Sequence, residues 1–142
     1  MNNHLNNFFD TSQVMYVEFD IHKKMFTHVN KSFIDKIGYS EKELLSNPIS
    51  KFILDEDIKL SYNFIKNLNG NPGTRVVNRY KHKNTGEIIT LMWFNGGVTE
   101  AMENKKGILS TFAIDISNVI KDINEQKLEN SLLIEFIEIL RM

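Results

Sequence analysis

Apolar positions along the chain change spacing twice: short extended runs to residue 29, helical spacing through residue 68, and extended runs again from residue 75. Val14 to Asp20 and Met25 to Val29 are rich in β-branched and aromatic residues and flank the polar IHKK. That predicts a strand pair whose turn carries no glycine. Asn30 stands at a helix N-cap, Phe33, Ile34 and Ile37 form one apolar stripe, and Gly38 is a C-terminal stop. Ser40 and Glu43 have capping-box spacing, and the helix they start carries Leu44 and Leu45 until Asn47-Pro48 ends it. Asp55, Glu56 and Asp57 open a longer helix, 55–68, whose apolar positions are Ile58, Tyr62, Phe64, Ile65 and Leu68. Beyond it, runs 75–81 and 87–98 flank the turn Asn84-Thr85-Gly86, and 108–116 follows Lys106-Gly107.

Two strands, three helices and three strands predict an α+β domain over 14–116, a five-stranded antiparallel sheet with short helices on one face. Residues 1–13 are polar with Leu5, Phe8 and Phe9 at helical spacing, and predict a short N-terminal cap segment. From Ile116 a heptad seam runs through Ile116, Val119, Ile123, Gln126, Asn130, Leu133, Ile137 and Leu140, six of these eight positions being apolar. The helix 117–142 is therefore expected to pair with a second copy as a parallel coiled coil, with Asn130 fixing register. Leu132, Ile134, Phe136 and Ile139 widen the stripe. They keep open the alternative that the helix folds back on its own sheet.

Composition removes whole classes of function. The chain has no cysteine, so disulfide scaffolds, iron–sulfur clusters, thiolate zinc sites and cysteine nucleophiles are excluded. Seventeen basic against eighteen acidic side chains give no electrostatic reason to expect a nucleic-acid or acidic-membrane partner. The first ten residues lack a secretory pattern and no apolar stretch reaches bilayer length, which predicts a cytoplasmic protein. His4, His22, His28 and His82 are not spaced as metal ligands on one helix face, so no metal site is expected. With no Gly-x-Ser-x-Gly, phosphate-cradling glycine loop or His–acid pairing, neither is an enzyme.

The stretch VNKSFIDKIGYSEKELLSN resembles the Asn-x-x-Phe/Ala…Gly-Tyr-Ser/Thr-x-x-Glu-Leu signature of PAS domains. KHKNTGEI and FAIDIS resemble their hairpin and their terminal Asp-Ile-Thr/Ser. The resemblance spans residues 10–117 and implies a sensory or interaction module, often with a small-molecule pocket between sheet and helices. Such domains usually stand upstream of a histidine kinase, a cyclic-nucleotide enzyme or a transcription factor. Haem-binding PAS domains take a proximal histidine from the long helix; helix 55–68 has none, which leaves only His28 and argues against haem. Flavin photoreceptors of the family carry a cysteine where this chain reads NPISKFILDEDI, so a thiol–flavin adduct is excluded. A non-photochemical flavin would rest on Trp93 and Asn95, against the simpler reading of Trp93 as core. The identity of any ligand stays open.

A pocket is expected between the long helix and the inner sheet face, lined by a subset of Phe26, His28, Phe52, Ile53, Ile58, Phe64, Ile65, Leu91, Trp93, Asn95 and Thr111. Alternation fixes Leu91, Trp93 and Asn95 to one face, and the size of Trp93 turns that face inward. Phe26, Phe33, Phe52, Phe64, Trp93 and Phe112 are bulky enough to fill the hollow instead, which would make a ligand-free interaction module. Asp115 and Ser117, where the last strand turns into the helix, are candidates for transmitting movement. Asp55, Glu56 and Asp57 read as a helix start that favours negative charge rather than as a cation site. Together these expectations describe a cytoplasmic sensor and homodimerisation domain of a signal-transduction protein associated with a histidine kinase. A small molecule or partner supplies the input, and an output domain or partner kinase receives it. The alternatives are the ligand-free module and a small cavity enzyme, which would need a buried carboxylate or a perturbed His28.

Overall fold

The computed structural model describes residues 14–67, 75–99 and 107–141. In chain order the elements are β1 (Met15–Asp20), β2 (Met25–Val29), α1 (Lys31–Ile37), α2 (Glu41–Ser46), a single 3-10 turn (Ile49–Lys51), α3 (Asp55–Lys66), β3 (Arg75–Lys81), β4 (Ile88–Thr99), β5 (Ile108–Asp115) and α4 (Ser117–Leu140). The five strands form one antiparallel sheet in the order β2-β1-β5-β4-β3, so the α+β expectation holds. The first strand lies beside the last, and β2 and β3 are the edges. The expected cap segment 1–13 and Leu68 lie outside the described residues.

Local chemistry sets the boundaries. The turn between β1 and β2 manages without glycine because Lys24 takes the left-handed conformation, at φ 58°. The Asp20 carboxylate steadies that turn, accepting the backbone N–H groups of His22 and Lys23 at 2.9 and 3.0 Å. Asn30 caps α1 by accepting the Phe33 N–H, and Ser40 with Glu43 closes a capping box on α2. Gly38 ends α1 at φ 78°, and a Cβ there would meet the His82 ring at 2.6 Å, so two constraints require glycine.

One face of the sheet carries the core. Met15, Val17 and Phe19 of β1, Ile89, Leu91 and Trp93 of β4, and Leu109 and Ala113 of β5 are all buried on it by strand alternation. α1 drops Phe33 into their centre, where its ring stands edge-on to Phe26, Tyr80 and Trp93 at centroid distances of 5.2, 6.0 and 5.5 Å. Phe112 does not join them. It alternates outward on β5 and packs against Tyr16 on the opposite face, 5.1 Å between centroids. Tyr80 fills the space instead.

The segment between α2 and α3 straps this layer to both sheet edges. Pro48 bridges Met25 on β2, Ile53 bridges Tyr80 on β3, and Phe52 is buried beneath. Asp57, expected to serve only the helix start, ties α3 to β3. Its carboxylate accepts the Arg79 guanidinium at 2.7 and 3.0 Å and the Arg79 backbone N–H at 2.7 Å. α4 leaves the sheet with no buried residue along its 24, so it does not fold back on its own domain.

Candidate functional site

Between α3 and the inner sheet face lies a cavity of about 40 Å³. Its apolar walls come from Val17 and Phe19 of β1, Phe26 of β2, Ile49 of the 3-10 turn, Phe64 and Ile65 of α3, Val76 of β3 and Leu109 of β5. Ser61, Asn78, Tyr80, Asn95, Thr111 and the Trp93 indole supply the polar part. These groups form short chains of hydrogen bonds. The Trp93 indole N–H donates to Asn78 Oδ1 at 2.9 Å, Asn78 Nδ2 donates to Ser61 Oγ at 3.3 Å, and the Thr111 hydroxyl donates to the Phe94 carbonyl at 3.2 Å. Tyr80 differs. Its hydroxyl is buried close to Asn78 and Trp93, whose donors are committed to Ser61 and Asn78, and it has no partner of good hydrogen-bonding geometry among the described residues. Burial pushes the phenol pKa up, so the group stays a neutral O–H donor.

A second constellation stands where β5 becomes α4. The Ile116 N–H donates to the Thr90 carbonyl at 2.9 Å, and the Thr90 N–H donates to Ser117 Oγ at 2.8 Å. The root of α4 is thus held to β4 by two bonds through one residue. Asp115 Oδ1 accepts the Ser117 N–H at 2.8 Å, and Oδ2 meets Lys36 of α1 at 3.2 Å. Burial alone would raise the Asp115 carboxyl, but the bonds from Ser117 and the Lys36 ammonium outweigh it and hold the group below its ordinary value.

Comparison of this architecture with solved structures is decisive for the fold. A PAS domain of an HTR-like protein from Haloarcula marismortui superimposes with a TM-score of 0.64 at 19% identity, covering 80% of this chain and 95% of that one. A PAS domain from a two-component sensor histidine kinase gives 0.63 at 17% identity, covering 79% and 93%. This chain has the PAS fold. A Rhodobacter sphaeroides LOV protein also matches, with a TM-score of 0.61 at 18% identity over 82% of this chain and 69% of that one. No protein-family model and no curated protein matches the sequence.

Within this PAS fold, six of the residues expected at a pocket line the cavity: Phe26, Phe64, Ile65, Trp93, Asn95 and Thr111. Five others stand elsewhere. Leu91 is fully buried but packs in the core away from the cavity, and Phe52 sits under the strap against Tyr39, 4.8 Å between centroids. Ile53 is spent on the bridge to β3, and Ile58 packs half-buried at the core's margin. His28 is on the wrong face. A bulge lets Glu18 pair with His28 but Phe19 with Phe26, so Thr27 is extra and the alternation from Phe26 breaks. His28 consequently faces outward beside Tyr16, with ring centroids 5.8 Å apart. Ile116 is corrected as well: it is buried at the root of α4 rather than presented on the seam.

The residues missed were Ser61, Asn78 and Tyr80. Tyr80 and Asn78 share a face of β3 with Val76, and Ser61 lies one turn before Ile65 on α3, a helical spacing that links it to a residue already expected.

A photoreceptor or haem cofactor needs more room than the described residues enclose here. A pocket for such a group measures several hundred Å³, roughly 300 at the least, against about 40 Å³ in this domain. No histidine among the described residues lines the space. Among the described residues there is neither a group of three or more His, Cys, Asp or Glu able to hold a metal, nor a helix long and apolar enough to cross a membrane.

Proposed function

We propose that this PAS domain is a dimeric signalling module in which a small molecule or partner acts on the sheet domain and α4 carries the response outward. One observation carries the reading: α4 runs 24 residues without a buried side chain while presenting an apolar seam. Val119, Ile123, Leu133 and Ile137 are 55, 46, 57 and 39% exposed. Each large aliphatic side chain taken out of water contributes about 1.5 to 3 kcal/mol, so the stripe strongly favours a second copy of the same helix. The bonds at Thr90 supply the coupling. A shift of β4 or β5 moves the root of α4 directly, and a paired helix answers by tilting or changing register.

The reading extends to a cytoplasmic location and to a histidine kinase, on the same polypeptide or a partner, as receiver. Two of the similar structures support it, being described as from a two-component sensor histidine kinase and from a Geobacter sulfurreducens sensor histidine kinase/response regulator.

Light scattering on the full chain and on the double variant Ile123→Asp, Leu133→Asp tests the proposal. The full chain is expected to be a dimer. The double variant should be a monomer that keeps the thermal unfolding of its sheet. A monomeric full chain, or a double variant that still dimerises, overturns it.

A further inference from the structure

The Tyr80 hydroxyl carries the inference. It is buried, lines the cavity and has no hydrogen-bond partner of good geometry among the described residues, while its polar neighbours have found theirs. A buried unpaired donor is expensive, so this one calls for an acceptor in the space beside it, a water or a small ligand. The space beside it is small. At roughly 10 to 15 Å³ for each water-sized group, about 40 Å³ admits about three or four non-hydrogen atoms.

The lining fixes the chemistry. Among the described residues no Asp, Glu, Lys, Arg or His reaches the cavity, so a charged ligand would be buried there without a partner. Val17, Phe64 and Leu109 offer only apolar contact, which suits one or two methyl groups. We infer that the cavity takes a neutral small amide, ketone or alcohol, whose oxygen accepts the Tyr80 hydroxyl proton and whose alkyl end packs against those three side chains. This deepens the signalling reading, on which it rests for its meaning as an input, but binding itself does not involve α4.

Trp93 is the only tryptophan in the chain, so the full-length protein has a single indole N–H signal, and that group borders the cavity. Titration with acetamide, followed at this signal by nuclear magnetic resonance, is the experiment. Four non-hydrogen atoms cap the affinity at a Kd of roughly 40 μM, so a saturable shift is expected at or above that concentration. Acetate, the isosteric anion, should give none, and benzamide should be too large to enter. Tyr80→Phe should weaken acetamide binding about 3- to 10-fold with the rest of the spectrum retained. Val76→Leu, which grows into the cavity from its half-buried rim, should weaken it too. An unsaturated linear shift, meaning a cavity that holds water only, overturns the inference. So does an equal response to acetate, or wild-type affinity in both variants. The dimer is read separately by light scattering, so loss of the ligand reading and loss of the signalling reading are distinguishable.

Discussion

Replacing Asn30 by Ala should be among the most damaging single changes in the domain, although the residue touches no cavity. Asn30 is 1% exposed and joins three segments. Its Oδ1 accepts the Phe33 N–H at the start of α1 and the Tyr16 N–H of β1, each at 3.1 Å, and its Nδ2 donates to the Val14 carbonyl at 2.9 Å. Loss of the cap costs about 1 kcal/mol. Each of the other two bonds, whose partner would be left without its acceptor or donor, adds about 1 to 1.5 kcal/mol. The sum is about 3 to 4 kcal/mol, a large share of the roughly 5 to 15 kcal/mol that holds a domain together. Urea unfolding followed by Trp93 fluorescence, at fixed protein concentration so that association is held constant, measures it. Asn30→Ser keeps the cap alone and should recover about 1 kcal/mol of the loss. If Asn30→Ala costs less than about 1 kcal/mol, or Ser is no better than Ala, the three bonds are not what joins β1 to α1.

Acid should act through Asp57. The Arg79 guanidinium, more than its backbone N–H, holds the carboxyl below its ordinary value of 3.8. A depressed pKa in the folded state gives stability that is complete above the unfolded value and lost as pH falls through the folded one. The melting-temperature gap between wild type and Asp57→Asn should therefore be constant near neutrality and close below pH 3.8; a gap that persists in acid refutes the pairing. On the neighbouring strand, where Thr90 pairs with Arg79, Ser117→Ala removes the acceptor of the Thr90 N–H. Hydrogen exchange should quicken at Thr90 and in the first turn of α4 while the β1–β5 ladder stays protected, and unchanged exchange at Thr90 would dissociate Ser117 from β4.

How much of this was legible in the sequence depended on whether one residue could settle a face. On β4 it could: Trp93 is too large to leave in water, and Leu91 and Asn95 follow it inward by alternation, all three being buried. On β2 the same logic failed at His28, because the bulge at Thr27 comes from pairing with β1, and pairing register is not written in either strand alone. β3 offered no such anchor. Val76 and Val77 are adjacent apolar residues, so RVVNRYK does not declare its face until Val76 is set against Trp93 and Tyr80 against Ile89. That is why Asn78 and Tyr80, which define the polar end of the cavity, were not foreseen.

The C-terminal helix shows the complementary case, where periodicity was plain but its beginning was not. Ile116 fits the heptad, yet its N–H is committed to Thr90 and its side chain is buried in the domain, so the exposed seam starts at Val119. Two apolar stretches then remain, Val119 with Ile123 near the sheet and Leu133, Ile137 and Leu140 at the far end, separated by Gln126 and Asn130. A polar centre weakens pairing there while restricting register. On the signalling reading, the bonds of Ile116 and Ser117 to Thr90 anchor the helix just before the near stretch, and the far stretch holds the partner helices together. A displacement at Ser117 therefore meets its least resistance at the two polar positions, which makes Gln126 and Asn130 the place where a paired helix of this sequence would change its geometry.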